Sequence, residues 1–253
     1  MGSDWIIGVD EAGRGPVIGP LVVAALAIPA DDIEQLTELK VKDSKDLSPN
    51  ERFRIFEEIN SNIEDGSWKS GLILCSSKRI DINSLSSDLN SLEIDLFSEA
   101  IIATDLSIES GVIRADACDV NEKRFAMRLE TSLGRDWGGW KIEAEHGMDS
   151  RDLVTGGASI LAKVSRDSAI EEIAARTGIE IGSGYPSDKT TRVAVEKMLS
   201  NGKPHDALRW SWATVSDIWQ QLHGTPVPIR SEQGGPVVQS SLDDWSGREA
   251  SNA

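Results

Sequence analysis

The sequence WIIGVDEAGRGP, residues 5–16, predicts how the fold begins. Trp5 to Val9 is a short run rich in β-branched side chains, which is typical of a buried strand, and Leu21 to Ile28 predicts a second strand of the same sheet. The glycines and proline between the two runs indicate a loop. Because neighbouring strand residues point to opposite faces, Asp10 and Glu11 can converge on one site only if the strand ends or bulges between them.

The rest of the chain alternates strands with helices and then becomes helical. Ser48 to Glu51 has the pattern of a helix capping box with proline in the first turn, and Asn121 is a typical N-cap. Strands are predicted at 68–75, 112–115 and 140–146, and helices at 49–63, 85–106, 122–133, 158–175, 188–200 and 205–222. This order predicts an α/β fold, a mixed sheet flanked by helices, with a helical C-terminal subdomain.

Charge restricts what the protein can bind and how. The 253 residues include 26 Lys and Arg against 42 Asp and Glu, a net charge of −16, so a polyanionic partner must meet a locally basic face or bound metal cations. Residues 186–210 hold five basic and three acidic residues, which predicts a duplex-binding face on the C-terminal helices. Residues 81–110 hold seven acids and no Lys or Arg, so we expect that helix to face away from phosphate.

Cysteine content and hydropathy favour a soluble cytoplasmic protein. Cys75 and Cys118 are the only cysteines and lack a C-x-x-C spacing, which argues against a disulfide framework or a structural zinc site. No apolar run reaches the roughly 18 residues of a spanning helix, and the N-terminus lacks the basic flank of a signal peptide. Nothing in the sequence demands more than a monomer.

Two further acids share the strand-end setting of Asp10 and Glu11. Asp116 follows the predicted strand at 112–115, and Asp149 follows the one at 140–146. Carboxylates at the ends of separate strands suit Mg²⁺ or Mn²⁺, which prefer hard oxygen ligands. A single acid here could simply begin a loop, but the four together with the glycine-arginine turn predict a metal site.

Five segments in order resemble the motifs of ribonuclease HII, the archaeal-type branch of type 2 ribonuclease H. They span residues 5 to about 215. They are GVDEAGRG at 8–15, DSKDL at 43–47, RADACDVN at 114–121, ASILAKV at 158–164 and GSGYPSD at 182–188.

The resemblance implies a fold, a reaction and a set of metal ligands. The fold is a ribonuclease H-like sheet, and the reaction is hydrolysis of the RNA strand of RNA/DNA hybrids and of single ribonucleotides within duplex DNA. The family's metal-binding acids fall on Asp10, Glu11, Asp116 and Asp149, with Asp152 as the alternative to Asp149. We expect two Mg²⁺ or Mn²⁺ ions, one activating the attacking water and one stabilising the departing 3′-oxygen, so the products carry 5′-phosphate and 3′-hydroxyl.

The same resemblance implies a set of substrate-binding residues. Tyr185 matches the family's junction-sensing tyrosine, whose ring can stack on a deoxyribose while its hydroxyl meets the neighbouring 2′-OH. Lys163 and Arg166 could reach either phosphate or a neighbouring acid, whereas the chain's histidines are expected to be structural or exposed. The expected substrate-binding residues are Gly13, Arg14, Gly15, Lys45, Lys163 and Tyr185.

Two other functions remain open at this point. Another ribonuclease H-like nuclease, such as a junction resolvase, could use the same strand-end acids, although the glycine-arginine turn and Tyr185 favour the first reading. A catalytically silent hybrid-binding protein is the second alternative, and the intact acids Asp10, Glu11 and Asp116 argue against it.

The end of the chain differs in composition from the rest. After Leu222 it becomes rich in Gly, Pro, Ser and Gln, so we expect a disordered tail at 223–253, after a catalytic domain at 1–182 and a helical substrate-binding cap at 183–222. Gln239, Leu242 and Trp245 match the Q-x-x-aliphatic-x-x-aromatic pattern of sliding-clamp-binding peptides, with Ser246 in place of the second aromatic. The tail therefore predicts a sliding clamp as a partner.

Overall fold

A five-stranded mixed sheet is the main sheet of the fold. The computed structural model describes residues 4–41, 47–231 and 236–237. The strands are β1 (Trp5–Ala12), β2 (Leu21–Pro29), β3 (Lys69–Cys75), β4 (Gly111–Asp116) and β5 (Trp140–Glu145). Their order is β3-β2-β1-β4-β5, in which β1, β2 and β3 pair antiparallel and β1, β4 and β5 pair parallel. The predicted mixed sheet with flanking helices is confirmed.

Eight helices surround or follow the sheet in the described residues. They are α1 (Ile33–Glu38), α2 (Pro49–Glu64), α3 (Ser77–Asn83), α4 (Leu89–Ile102), α5 (Glu122–Leu133), α6 (Leu153–Thr177), α7 (Lys189–Leu199) and α8 (Ala213–His223). The predicted caps form: the Ser48 and Glu51 side chains make a capping box, and Asn121 accepts a hydrogen bond from the Arg124 N–H. None of the described helices has the length and apolar character that crossing a bilayer requires.

Three predicted helix starts are wrong, and α1 and α3 lie outside every predicted helix. The helix expected from residue 85 begins at Leu89, because the Asp88 side chain accepts the Ser91 N–H at 2.7 Å and caps it. The helix expected from residue 158 begins at Leu153. Gly156 and Gly157 made residues 153–157 an unfavourable helix in the sequence pattern, because glycine is a poor helix former. Close packing explains why these two positions of α6 are glycine. A Cβ would stand 2.9 Å from Asp149 O at Gly156 and 2.6 Å from Leu26 Cδ2 at Gly157. The last helix begins at residue 213 rather than 205.

The chain divides into two compact units that do not follow the sequence order. Unit 1 comprises residues 1–14, 20–76 and 87–172, and unit 2 comprises 15–19, 77–86 and 173–253. The boundary predicted at residue 182 falls inside unit 2.

In unit 1, α6 lies directly on the sheet. A Cβ on Gly8 of β1 would stand 2.2 Å from the backbone nitrogen of Thr155, so only glycine allows this approach. The core on this face includes Val22, Ala24, Leu26 and Ile28 of β2 together with apolar residues of α2 and α6. The close contact fixes the position of α6 relative to the end of β1.

In unit 2, the segment 15–19 is held by backbone hydrogen bonds to distant residues. Val17 N–H donates to Gly184 O at 2.8 Å, and Gly19 N–H donates to Ala207 O at 2.9 Å. The expected disordered tail does not begin at residue 223: a short strand, β6 (Ile229–Arg230), pairs with β7 (Pro236–Val237). Arg230 is buried and its Nε lies 3.1 Å from a carboxylate oxygen of Asp81.

Candidate metal centre

Three of the predicted acids come together at the ends of adjacent strands. One carboxylate oxygen each from Asp10, Asp116 and Asp149 lies within 4.8 Å of the other two. Asp10 and Asp116 follow Val9 and Ala115, the last pair in the parallel ladder of β1 and β4, so the topology places them side by side. Asp149 lies in a 3₁₀ turn, Met148–Ser150, shortly after β5.

Backbone and hydroxyl donors orient these carboxylates. The Gly147 N–H donates to Asp116 Oδ1 at 2.7 Å, and the Met148 N–H donates to the same oxygen at 3.3 Å. The Ser150 hydroxyl donates to Asp149 Oδ1 at 3.1 Å. Gly147 has φ +66°, a left-handed conformation that glycine adopts easily, and it turns the chain so that both N–H groups reach Asp116.

Helix α6 brings a hydroxyl and a cation to the same place. Lys163 Nζ donates to Ser159 Oγ at 2.6 Å and lies 3.9 Å from Asp149 Oδ2. A hydrogen bond with Ser159 lowers the pKa of Asp10, as does the nearby Lys163 charge. Since Ser159 and Lys163 are four residues apart, they lie on one face of α6. Lys163 therefore contacts the acidic cluster within unit 1.

The cluster lacks enough positive charge to keep all its acids ionised easily. Burial raises the pKa of Asp10 well above its ordinary value, and the charges of Glu11 and Asp116 raise it further. Burial, followed by the charges of Glu93 and Asp116, raises the pKa of Glu11 to about 7. Carboxylates this close favour either a proton or a cation between them.

Glu11 is not one of the three clustered acids. We required β1 to end or bulge between Asp10 and Glu11 if both were to converge, but β1 continues to Ala12 in regular register with β2. Regular alternation would send the two side chains to opposite faces, yet their carboxyl groups interact: the charge of Glu11 adds to burial in raising the pKa of Asp10, and a side-chain hydrogen bond with Asp10 acts on Glu11. Asp10 is buried and Glu11 is half-buried, and Glu11 is linked to the cluster through both Asp10 and Asp116, which affect its pKa.

Asp152, the alternative to Asp149, has structural partners. Arg114 Nη1 donates to Asp152 Oδ2 at 2.6 Å, and the Thr155 N–H donates to Asp152 Oδ1 at 2.9 Å. Asp152 thus binds the first turn of α6 and ties it to β4. It is not a member of the three-acid group.

The Arg14 side chain is bound within the protein. Its Nη1 donates to Glu93 Oε2 at 2.7 Å and to Cys118 O at 2.9 Å, while its Nη2 donates to Asn90 Oδ1 at 2.6 Å. Glu93 and Asn90 belong to α4, the acidic helix that we expected to face away from phosphate. The buried Glu93 of this helix holds the arginine of the glycine-arginine turn, and after burial its charge is the largest cause of the raised pKa of Glu11.

The remaining predicted residues fall in different places. Gly13 has φ +92°, and a Cβ there would stand 2.9 Å from Cδ of the buried Arg166. In unit 2, a Cβ on Gly15 would stand 3.3 Å from the ring of Tyr185, which is 40% exposed. Lys45, Gln239, Leu242 and Trp245 lie outside the described residues.

Sequence reasoning missed Ser159 and Glu93 as parts of the site. Ser159 lies four residues before Lys163 on a predicted helix, so the spacing could have indicated it. Glu93 had no local signal, because its partner Arg14 is 79 residues away in the chain.

The donor set suits a divalent cation. Asp10, Asp116 and Asp149 offer only carboxylate oxygens, the ligands that Mg²⁺ and Mn²⁺ prefer, and a cation would offset the repulsion that raises the pKa of Asp10. A mixed sheet with such a cluster at the ends of its parallel strands places the chain in the ribonuclease H-like class of nucleases.

Comparison with known proteins narrows this class. A family model described as ribonuclease HII matches residues 7–215. A ribonuclease HII from Thermococcus kodakarensis is 38% identical over 241 residues, covering 95% of this chain and 97% of the relative. The crystal structure of the ribonuclease H2 from Pyrococcus horikoshii has a TM-score of 0.74 and 36% identity, covering 86% of this chain and 98% of that one. A structure of the PCNA:RNase HII complex from Archaeoglobus fulgidus has a TM-score of 0.71 and 30% identity, covering 94% and 98%.

The chain belongs to the ribonuclease HII family. The resemblance seen in its motifs is therefore confirmed, and the chain is a ribonuclease H.

The raised pKa values predict how pH and metal affect stability. Asp10 and Glu11 bind protons more tightly in the folded than in the unfolded protein. Their contribution to the free energy of unfolding is fully present below the unfolded pKa and is lost as pH rises through the folded pKa, for Glu11 from 4.5 to about 7. We expect the melting temperature of the metal-free protein to fall more between about pH 5 and about pH 8 than that of Asp10→Asn.

Mg²⁺ should raise the melting temperature most at about pH 8, where the acids are ionised. Scanning fluorimetry of wild type, Asp10→Asn and the exposed-site control Asp95→Asn measures both effects. An equal Mg²⁺ shift in all three proteins would contradict a cation site at Asp10.

Proposed function

We propose that this chain hydrolyses the RNA strand of RNA/DNA hybrids and also incises at ribonucleotides embedded in duplex DNA. The products are a 5′-phosphate and a 3′-hydroxyl, because water rather than the 2′-OH attacks. The observation that carries the proposal is the three-acid group of Asp10, Asp116 and Asp149, two of whose members are almost fully buried. Family membership supports the hybrid as the substrate.

We assign the binding of divalent cations to Asp10, Asp116 and Asp149, with Glu11 as the fourth acid. When bound, two Mg²⁺ or Mn²⁺ ions would activate a water and stabilise the departing 3′-oxygen. The electrostatic effect of Asp116 on Glu11 supports the assignment of Glu11.

The chain's own groups prepare this site. The N–H groups of Gly147 and Met148 fix Asp116, and the Glu11 N–H donates to Asp10 Oδ1 at 2.8 Å. Lys163 keeps a positive charge beside Asp149. Preorganised side chains reduce the rearrangement needed when the substrate phosphate arrives.

Replacing one ligand carboxylate tests the reaction. Asp10→Asn should reduce cleavage of an RNA/DNA hybrid by about a thousandfold or more, because it removes a charged ligand but keeps the shape of the side chain. Cleavage is measured with end-labelled hybrid in the presence and absence of Mg²⁺ or Mn²⁺, with Asp95→Asn as the matched control. Normal turnover by Asp10→Asn would refute the assignment, and cleavage of an all-DNA four-way junction instead would indicate a resolvase.

We assign recognition of the RNA-to-DNA junction to Tyr185, with the backbone at Gly15. Their contact in unit 2 and the partial exposure of the ring support this role, since an exposed phenol can meet a sugar. We likewise propose that Gly13 and Lys45 contact phosphate, Gly13 through its backbone and Lys45 through its ammonium group.

The Tyr185 assignment predicts a difference between two substrates. Tyr185→Ala should lose about tenfold more activity on a duplex with one embedded ribonucleotide than on a long hybrid, because only the former depends on a single junction. Tyr185→Phe retains the ring and separates the contribution of the hydroxyl. Equal losses on the two substrates would remove Tyr185 from this role.

We also propose that residues Gln239, Leu242 and Trp245 bind the sliding clamp. The Archaeoglobus fulgidus ribonuclease HII has been solved in a complex with PCNA, and this chain covers 98% of the matched chain. Such a peptide places an aliphatic and an aromatic anchor in a hydrophobic pocket.

Substituting the aromatic anchor tests this partner. Trp245→Ala should weaken retention by immobilised clamp by about tenfold or more, since an anchor tryptophan typically contributes 2 kcal/mol or more. Hybrid cleavage without the clamp should stay at the wild-type level and serves as the control for folding. Unchanged retention of the variant would refute the proposal.

A further inference from the structure

A cavity in unit 2 is lined by an unusual number of cations for so acidic a chain. Its volume is about 520 Å³, and it lies among the end of α6, the end of α7 and the loop that follows. Arg176, Lys197 and Lys203 line it, and all three are exposed. We refer to it as the 176–206 cavity.

These three cations carry uncompensated charge. Within the part of the chain that the structure describes, Arg176, Lys197 and Lys203 form no ion pair. Asp206 is the carboxylate in the lining, and its Oδ1 lies 4.0 Å from Nη1 of the buried Arg230. The cavity therefore has an excess of positive charge, whereas the whole chain has a charge of −16.

His205 adds a neutral hydrogen-bond donor to the lining. The Ala207 N–H donates to His205 Nδ1 at 3.1 Å, so Nε2 carries the proton of the neutral ring. Burial lowers the pKa of His205 and outweighs the opposing effect of the Asp206 charge, while the nearby Arg176 lowers it further. The cavity thus combines three cations with a fixed N–H donor, a set that suits phosphate oxygens.

Favourable interaction with helix C-termini accounts for two of the three cations in the cavity. Arg176 and Lys197 lie in the last turns of α6 and α7, where a cation interacts favourably with the helix dipole. Lys203 lies in the loop after α7, where no helix end requires it. Among the lining residues, no Phe, Tyr or Trp is present to stack on a base, which favours recognition of phosphate alone.

We propose that the 176–206 cavity binds backbone phosphate of the duplex substrate, at a site additional to the metal centre. The inference rests on the proposed function, since it takes the duplex as the ligand. Phosphate binding by several cations gives affinity without sequence preference and makes that affinity depend on salt.

Duplex affinity of charge variants tests the site. Binding of a fluorescent RNA/DNA hybrid and of an all-DNA duplex is measured by anisotropy in the non-cleaving Asp10→Asn background across a salt series. Lys197→Gln with Lys203→Gln should weaken binding of both duplexes by about tenfold at low salt and reduce the slope of log K against log salt by about 2. Lys197→Arg with Lys203→Arg should retain the affinity.

The matched control removes the same charge from unit 1. Arg54→Gln with Lys69→Gln affects two exposed cations of unit 1 that do not line the cavity, and it should leave both the affinity and the slope close to the parent values. Unchanged binding by the Lys197/Lys203 double glutamine variant, or an equal loss in the control, would overturn the proposal. The proposal would also be overturned if the double glutamine variant lost the binding of inorganic phosphate, measured by calorimetry, but still bound the duplexes as the parent does.

These measurements do not depend on cleavage. If the chain failed to cleave hybrids, the proposed function would be refuted. The binding results on the two duplexes would still decide whether the cavity binds backbone phosphate.

Discussion

Repulsion among buried carboxylates is the constraint on which the site depends. Asp10, Asp116 and Asp149 bring three acids within 4.8 Å, and Asp10 and Asp149 are almost fully buried. Like charges in a poorly hydrated place destabilise the folded state unless donors or cations compensate them. The backbone N–H groups at Gly147 and Met148 and the ammonium of Lys163 compensate only in part, because the pKa of Asp10 remains raised. The remaining deficit is the electrostatic basis for binding divalent cations.

The packing of α6 makes this partial compensation possible. Gly8 lets the α6 backbone at Thr155 approach β1 closely, and Ser159 and Lys163 follow at four-residue intervals on the same face of the helix. Asp152 fixes the first turn of α6 to Arg114 of β4. A core contact and an ion pair therefore determine where the hydroxyl and the ammonium meet the acids. A shift of α6 would separate these groups while leaving the sheet itself intact.

The sequence predicted what depends on local pattern and on strand topology. Asp10 and Asp116 follow apolar strands that pair in parallel, so their meeting could be predicted, and all five sheet strands were predicted within a few residues. The partners of Arg14 could not be predicted, because Glu93 and Asn90 belong to a helix whose orientation depends on tertiary packing. Sequence alone left the approach of Glu11 to Asp10 conditional on a break or bulge in the strand, whereas the two carboxyl groups interact although β1 stays in register with β2.

The two compact units show the same limit at a larger scale. The sequence predicts one boundary, at residue 182, but residues 15–19 belong to unit 2 because of hydrogen bonds such as that from Gly19 N–H to Ala207 O. Residues that are distant in sequence also combine into one charged site: Arg176 lies outside the basic stretch 186–210 but lines the same cavity as Lys197 and Lys203. In a chain of charge −16, the net charge does not attract a polyanion, so binding depends on local contacts. Bound cations at the acids and clustered basic side chains elsewhere are two local solutions to that one electrostatic problem.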